Sequence, residues 1–182
     1  NARRRWILDR LDGTKSFIRT VALWGTLVAV TEGDSVLAGC AYFPAITEIV
    51  AAAVGEGCFW NDTRCRVSST ATIAESTVTI TDDRFEGRPG RATAWHQLAS
   101  RASVARTWGD CYGYLLLATG RADVMVDDVA APWDSAALYP IVTEAGGSFT
   151  DWSGSATAFG GDIIATNAIL ARPVRDILVQ PA

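Results

Sequence analysis

The stretch Trp6-Ile7-Leu8-Asp9-Arg10-Leu11-Asp12-Gly13-Thr14-Lys15-Ser16-Phe17 constrains this chain more than any other. A short apolar run ends in two carboxylates three residues apart, and a Gly-Thr step then opens a helix. The run has the length of a buried strand, which places Asp9 at a strand's carboxyl end, where open α/β sheets collect ligands. Asp9 and Asp12 offer the hard oxygen donors that a divalent cation such as Mg²⁺ takes. A helix opening near Gly13 adds unpaired N–H groups that suit a phosphate. The same residues also fit a capped loop, with Asp12 in a turn and Thr14 as the N-cap, and the stretch alone leaves both open.

Composition narrows the classes. A net charge of −4 and a pI of about 4.9 give no basic surface for nucleic acid or an anionic membrane, and Arg3-Arg4-Arg5 is too short to supply one. Cys40, Cys58, Cys65 and Cys111 contain no C-x-x-C pair, and His96 is the single histidine, which argues against zinc ligation and His-dependent triads. The cysteines read as small buried hydrophobes of a reducing cytoplasm. No basic-then-apolar leader and no run of spanning length occur, so the expected location is cytoplasmic, with no membrane partner. A chain that begins at Asn1 and reaches its candidate site within nine residues reads as the remainder of something longer.

In order, Val21 to Val30 is rich in strand formers, Glu32-Gly33-Asp34 turns, and Val36 to Phe43 returns. Glu48 to Ala53 is a third strand closed by Gly55-Glu56-Gly57, giving an antiparallel meander. Cys58-Phe59-Trp60 and Arg64 to Val67 flank an Asn61-Asp62 turn, and Trp24 and Trp60 read as core. Thr77 to Thr81 is a strand ended by Asp82-Asp83 in a turn or cap, and residues 86–90 are a loop. Ala92 to Ala102 is helical, with His96 on its surface. Pro89-Gly90 is the weakest point at which to divide two lobes, about 1–88 and 89–182, of one domain.

Two further strand-to-helix transitions follow. An extended run breaks at Gly109, and a helix led by Asp110 stops at Gly120. Ala122 to Val126 is a strand closed by Asp127-Asp128, and Pro132-Trp133-Asp134 opens one long helix to Glu144. Helix starts near Gly13, Asp110 and Asp134 therefore each present a carboxylate. Convergent, they form a cation-and-phosphate site; apart, each Asp is an N-cap that stabilises its own helix by ~1 kcal/mol.

The first stretch, with Trp133-Asp134-Ser135-Ala136-Ala137-Leu138 through Glu144-Ala145-Gly146-Gly147, resembles the inositol monophosphatase family of metal-dependent phosphatases. Gly109 to Tyr114, Gly120 to Val124 and Phe149-Thr150-Asp151-Trp152 are most similar to its histidinol-phosphatase branch. The resemblance implies an α/β fold, a layered αβαβα sandwich of the sugar-phosphatase type with its first helices missing. It implies Asp9, Asp12 and Asp134 as metal ligands for two or three Mg²⁺ ions, with the Leu11 carbonyl as a further donor. Gly13 and Thr14 correspond to the phosphate-cradling step, and Asp9 and Thr14 to catalytic positions, the Thr14 hydroxyl helping to orient the attacking water. Asp110 and Asp127 fall at substrate-facing positions.

The implied reaction is Mg²⁺-dependent hydrolysis of a small phosphomonoester, histidinol phosphate first and inositol-1-phosphate or another sugar phosphate second, without a covalent protein intermediate. A homodimer is a further implication. Two departures matter. Arg10 stands where the family has proline, losing a fixed φ and placing a cation near the metals. The family's upstream Glu-Glu motif has no counterpart, since residues 1–8 contain no carboxylate. The polypeptide as given is therefore expected to be inactive or weak, with apolar sheet surface uncovered, and a non-catalytic metal-binding fragment is the alternative of a different class.

Overall fold

The computed structural model describes residues 3–179; Asn1, Ala2 and residues 180–182 of the expected domain lie outside it. In chain order the elements are β1 (Arg4–Asp12), α1 (Thr14–Phe17), β2 (Gly25–Glu32), β3 (Ser35–Phe43), β4 (Glu48–Ala53), β5 (Gly57–Trp60), β6 (Thr63–Cys65) and β7 (Thr77–Ile80). There follow α2 (Pro89–Arg101), β8 (Val104–Arg106), α3 (Asp110–Ala118), β9 (Val124–Asp127), α4 (Pro132–Ser135), α5 (Leu138–Glu144), β10 (Gly147–Thr150), β11 (Ile163–Asn167) and α6 (Ala171–Leu178).

The meander is a six-stranded antiparallel sheet in the order β1 to β6, built by Gly33, Gly55 and the Asn61-Asp62 turn, whose residues all have positive φ. Its inner face, with Leu27, Ala41, Phe43 and Val50, packs on α3 and α5. The opposite face of these helices meets a mixed sheet, ordered β10-β11-β9-β7-β8, in which β7 runs parallel to β8 and β9. Val78, Val126, Leu98 and Val174 fill a second core between that sheet and α2 and α6. The described residues thus stack as sheet, helices, sheet, helices, the mixed α/β layering expected.

The outer face of the first sheet is bare and apolar. Trp6 is 70% and Leu8 54% exposed, and the register puts Tyr42, Ile49 and Phe59 on the same face. The expected uncovered sheet surface is there.

Four local expectations are corrected. β1 is an exposed edge strand of an antiparallel sheet rather than a buried one, and Asp9 lies inside it, three residues before its end. The apolar run misleads because Ile7 faces the core while Trp6 and Leu8 face outward. Pro89-Gly90 does not divide lobes but forms the first turn of α2, where proline's fixed φ and missing N–H suit position N1. The first sheet ends at Cys65 and the second begins at Thr77. Finally, the long helix from Pro132 is two helices, broken at Ala136-Ala137. There β3 comes so close that a Cβ on Gly39 would lie 2.1 Å from the Ala137 carbonyl oxygen.

Trp24 and Trp60 are both half-buried: Trp24 stacks edge-on against Phe17 away from the core, whereas Trp60 packs against the first core and lies under the Arg121 guanidinium. Cys58 and Cys111 are buried, whereas Cys40 and Cys65 are only partly so. His96 is exposed on α2 with Nδ1 2.6 Å from the Ala92 carbonyl oxygen.

Candidate active site

Side chains alternate along a strand, so acids three residues apart should face opposite ways. A bulge prevents this: Asp9 pairs with Leu27 and Asp12 with Gly25, setting three steps of β1 against two of β2, and both carboxylates face inward. The bulge is braced from within. The Asp9 carboxylate accepts the Leu11 N–H at 2.9 Å, the Thr14 hydroxyl donates to the Leu11 carbonyl at 2.8 Å, and the Thr26 hydroxyl donates to the Arg10 carbonyl. Gly13, at φ +79°, then turns the chain out of the strand, a conformation only glycine adopts freely.

Asp12, 8% exposed, accepts the Cys111 N–H at 2.7 Å and so caps α3 across 99 residues of sequence. Asp134 accepts the Ala131 N–H at 2.8 Å in the first turn of α4. The capping alternative holds only in altered form: Asp12 caps α3 rather than the helix that follows it, Asp134 acts from the third position of α4, and Thr14 lies inside α1 behind Gly13. Asp12 and Asp134 cap helices through one oxygen, yet one ligand atom each from Asp9, Asp12 and Asp134 lie within 4.8 Å of one another. The dipole contribution is smaller than expected, because α1 and α4 are each four residues long.

Asp110 and Asp127 join Asp12 and Asp134 in lining a cleft of about 60 Å³. Asp110 opens α3 with the unusual φ of +49°, strain at a residue facing the site. Asp127 ends β9, buried, and accepts the Tyr114 hydroxyl at 2.7 Å. A neighbouring cavity of about 330 Å³ opens beside it, lined by Lys15, Thr81, Asp82, Phe85, Glu86 and Asp127 among others.

Burial and mutual repulsion dominate the electrostatics. Burial first, then Asp110 and Asp134, push Asp12 up to about 7 against the pull of Cys111. Burial also lifts Asp127 to about 7, although hydroxyls of Thr81 and Tyr114 oppose it. Asp134 is raised by burial and by Asp9; Asp110 is raised by burial, with Lys15 working against it. Carboxylates held this close without a cation among them repel, and a divalent ion offsets that repulsion. The donors are oxygens alone: Cys111 is buried with its thiol pushed well up by that burial, and His96 lies on α2. Such a set fits Mg²⁺ or another hard cation, not zinc.

Leu11, Gly13 and Thr14 form the hinge beside this cluster, and Arg10 is exposed. Asp82 serves as a turn, accepting the Arg84 N–H and pairing with its guanidinium, which holds its carboxyl at about 2. Thr81 was not among the residues the sequence singled out. It accepts the Asp110 N–H at 2.7 Å and lines both cavities. The one available signal was its place at the carboxyl end of a strand that proves to be parallel.

The description "Inositol monophosphatase family" matches residues 1–178. The chain belongs to the inositol monophosphatase family. It is 40% identical over 170 residues to a histidinol-phosphatase of Chlorobaculum parvum and 34% identical over 172 residues to one of Mycobacterium tuberculosis. Those alignments cover 93% and 92% of this chain but 66% of each relative, so the chain spans just under two thirds of their length. An inositol monophosphatase from Zymomonas mobilis superposes with a TM-score of 0.91 at 27% identity, covering 98% of this chain and 71% of that one. The family fold and the carboxylate cluster thus coincide on the same residues.

Proposed function

We propose that this chain carries the centre of a Mg²⁺-dependent phosphomonoesterase acting on histidinol phosphate. The observation that carries the reading is the convergence of Asp9, Asp12 and Asp134. The three carboxylates and the Leu11 carbonyl would hold the Mg²⁺, two or three ions in all. Bound there, the ions supply positive charge for the phosphate and acidify water. The chain's own residues do the positioning. Backbone N–H groups at Gly13 and Thr14 receive phosphate oxygens. The Thr14 hydroxyl, whose proton is committed to Leu11, turns its lone pairs toward the water, and Asp9 takes up that water's proton. The water oxygen bonds to phosphorus as the bond from phosphorus to the ester oxygen breaks, and the departing oxygen takes a proton from solvent, giving the alcohol and inorganic phosphate.

The larger cavity accommodates the leaving alcohol, and Asp110 and Asp127 face the cationic amine or imidazole that histidinol carries. The 40% identity to a protein named histidinol-phosphatase supports this substrate, and the likeness to an inositol monophosphatase supports inositol-1-phosphate as the second choice. Phosphate release from both esters, with Mg²⁺ and with chelator, tests the reading. Histidinol phosphate is expected to be preferred by about tenfold or more in kcat/KM, with release abolished by chelator. Equal rates, or release that survives chelation, would overturn it.

A further inference from the structure

Away from the carboxylate cluster, the hairpin that ends the first sheet sets two cysteines face to face. Cys58 on β5 and Cys65 on β6 are direct register partners, and their sulfurs lie 3.5 Å apart in an S–H···S contact. Directly opposed residues of an antiparallel pair have Cα atoms about 4.5–5.5 Å apart. A disulfide spans 4.4–6.8 Å between Cα atoms, so the backbone is already in range. We propose that Cys58 and Cys65 form a reversible dithiol that closes to a cross-strand disulfide under a mild two-electron oxidant such as hydrogen peroxide.

The two sulfurs differ in ways that fix their order of reaction. Cys58 is fully buried against the core, whereas Cys65 is partly open to solvent at the sheet's outer strand. The hydrogen bond shared with Cys58 pulls the Cys65 thiol below its ordinary range. The Arg121 guanidinium, held by Glu48 at 2.7 Å and stacked over Trp60, adds to that pull. The same contact, with burial, pushes the Cys58 thiol up. Cys65 is therefore the attacking thiolate and Cys58 the resolving thiol.

The Cys65 sulfur bonds to one peroxide oxygen as the O–O bond breaks, and the departing hydroxide takes a proton to become water. The Cys58 sulfur then bonds to the Cys65 sulfur as the S–O bond breaks; a second water leaves with the Cys58 proton. The two sulfurs lose two electrons, and one peroxide becomes two waters. Neither other cysteine offers this: Cys111 is buried beside Asp12 with a thiol pushed well up, and burial raises Cys40 as well.

Treating the reduced protein with a small excess of hydrogen peroxide, then alkylating it unfolded, provides the test. Free thiols are expected to fall from four to two, with a mass loss of two hydrogens reversed by dithiothreitol. Tryptic cleavage after Arg64 separates Cys65 from the peptide 20–64, which holds Cys40 and Cys58, so the bond appears as a linked pair of peptides in which fragmentation finds Cys40 alkylated and Cys58 joined to Cys65. Cys58→Ser is expected to leave a sulfenic acid on Cys65 that dimedone traps, and Cys40→Ser to leave the cross-link unchanged. Four surviving thiols, a cross-link through Cys40 or Cys111, or a dimedone adduct on Cys58 in the Cys65→Ser protein would each overturn the proposal.

Discussion

Strand β9 has a buried aspartate at each end, and the two teach different things. At its start, the Asp123 carboxylate accepts the Ser68 hydroxyl and, at 2.7 Å, the Thr77 N–H. Asn167 ties Ser68 to the Thr70 carbonyl around it. Neutral donors satisfy this carboxylate, and it fastens the chain leaving the first sheet to β7, β9 and β11. At the strand's end, Asp127 also accepts hydroxyls, yet Asp110 and Asp12 crowd it and burial lifts it to about 7. Burial of an acid is thus no mark of a site. Acids gathered without a compensating cation are the mark, because the fold gains nothing from bringing like charges together.

The sharpest way to break this contrast is to change one acid from each set. Asp12→Asn is expected to lower phosphate release about a thousandfold, equivalent to ~4 kcal/mol, while the metal-free protein gains ~1 kcal/mol of stability in calorimetry. Asp123→Asn should do the reverse. Its amide meets the Thr77 N–H with a donor, costing ~2 kcal/mol in denaturant unfolding, with kcat within about twofold of the parent below the unfolding range.

A pH series separates the two ends without mutation. Asp12 and Asp127 have folded-state values raised to about 7, above ~3.9 in the unfolded chain, so their stabilising protonation is complete below ~4 and lost as pH rises through 7. In chelator, the unfolding free energy should fall by on the order of 5 kcal/mol between pH 5 and 8, and Mg²⁺ should restore it at pH 8. A flat profile would mean that the cluster is not under electrostatic stress. The smallest effect is expected from Arg10→Pro. Arg10 is exposed one residue from Asp9, and loss of its positive charge should let calorimetric titration show Mg²⁺ binding tightened by about threefold.

What the sequence made legible was local. Gly33, Asn61-Asp62, Gly120 and Gly146 punctuate the chain where turns and helix ends do form, since their conformational preferences need no tertiary partner. Asp9, Asp12 and Asp134 were legible through motif spacing, and their convergence is now seen in space. The rest depended on distant contacts. Nothing near Asp12 announces that it caps α3 at Cys111, and nothing near Asp123 announces Ser68. The break at Ala136-Ala137 did have a local signal, because Pro140 has no N–H to return to the Ala136 carbonyl, whereas the close approach of Gly39 had none. The exposure of β1 was hidden for a related reason: a strand apolar on both sides looks buried until its neighbours are counted.

The extra residue in β1 has one more consequence. By lifting Leu11 out of the ladder it frees that residue's N–H, which goes to Asp9, and its carbonyl oxygen, which keeps a spare lone pair beside the acids. Shortening the strand by one residue here would leave Asp9 and its partner acid on one side of a straighter, better-paired ribbon, and would return that oxygen to an ordinary rung. Such a protein would melt later and hold its ion less well, so an irregularity that weakens the sheet is also what equips it.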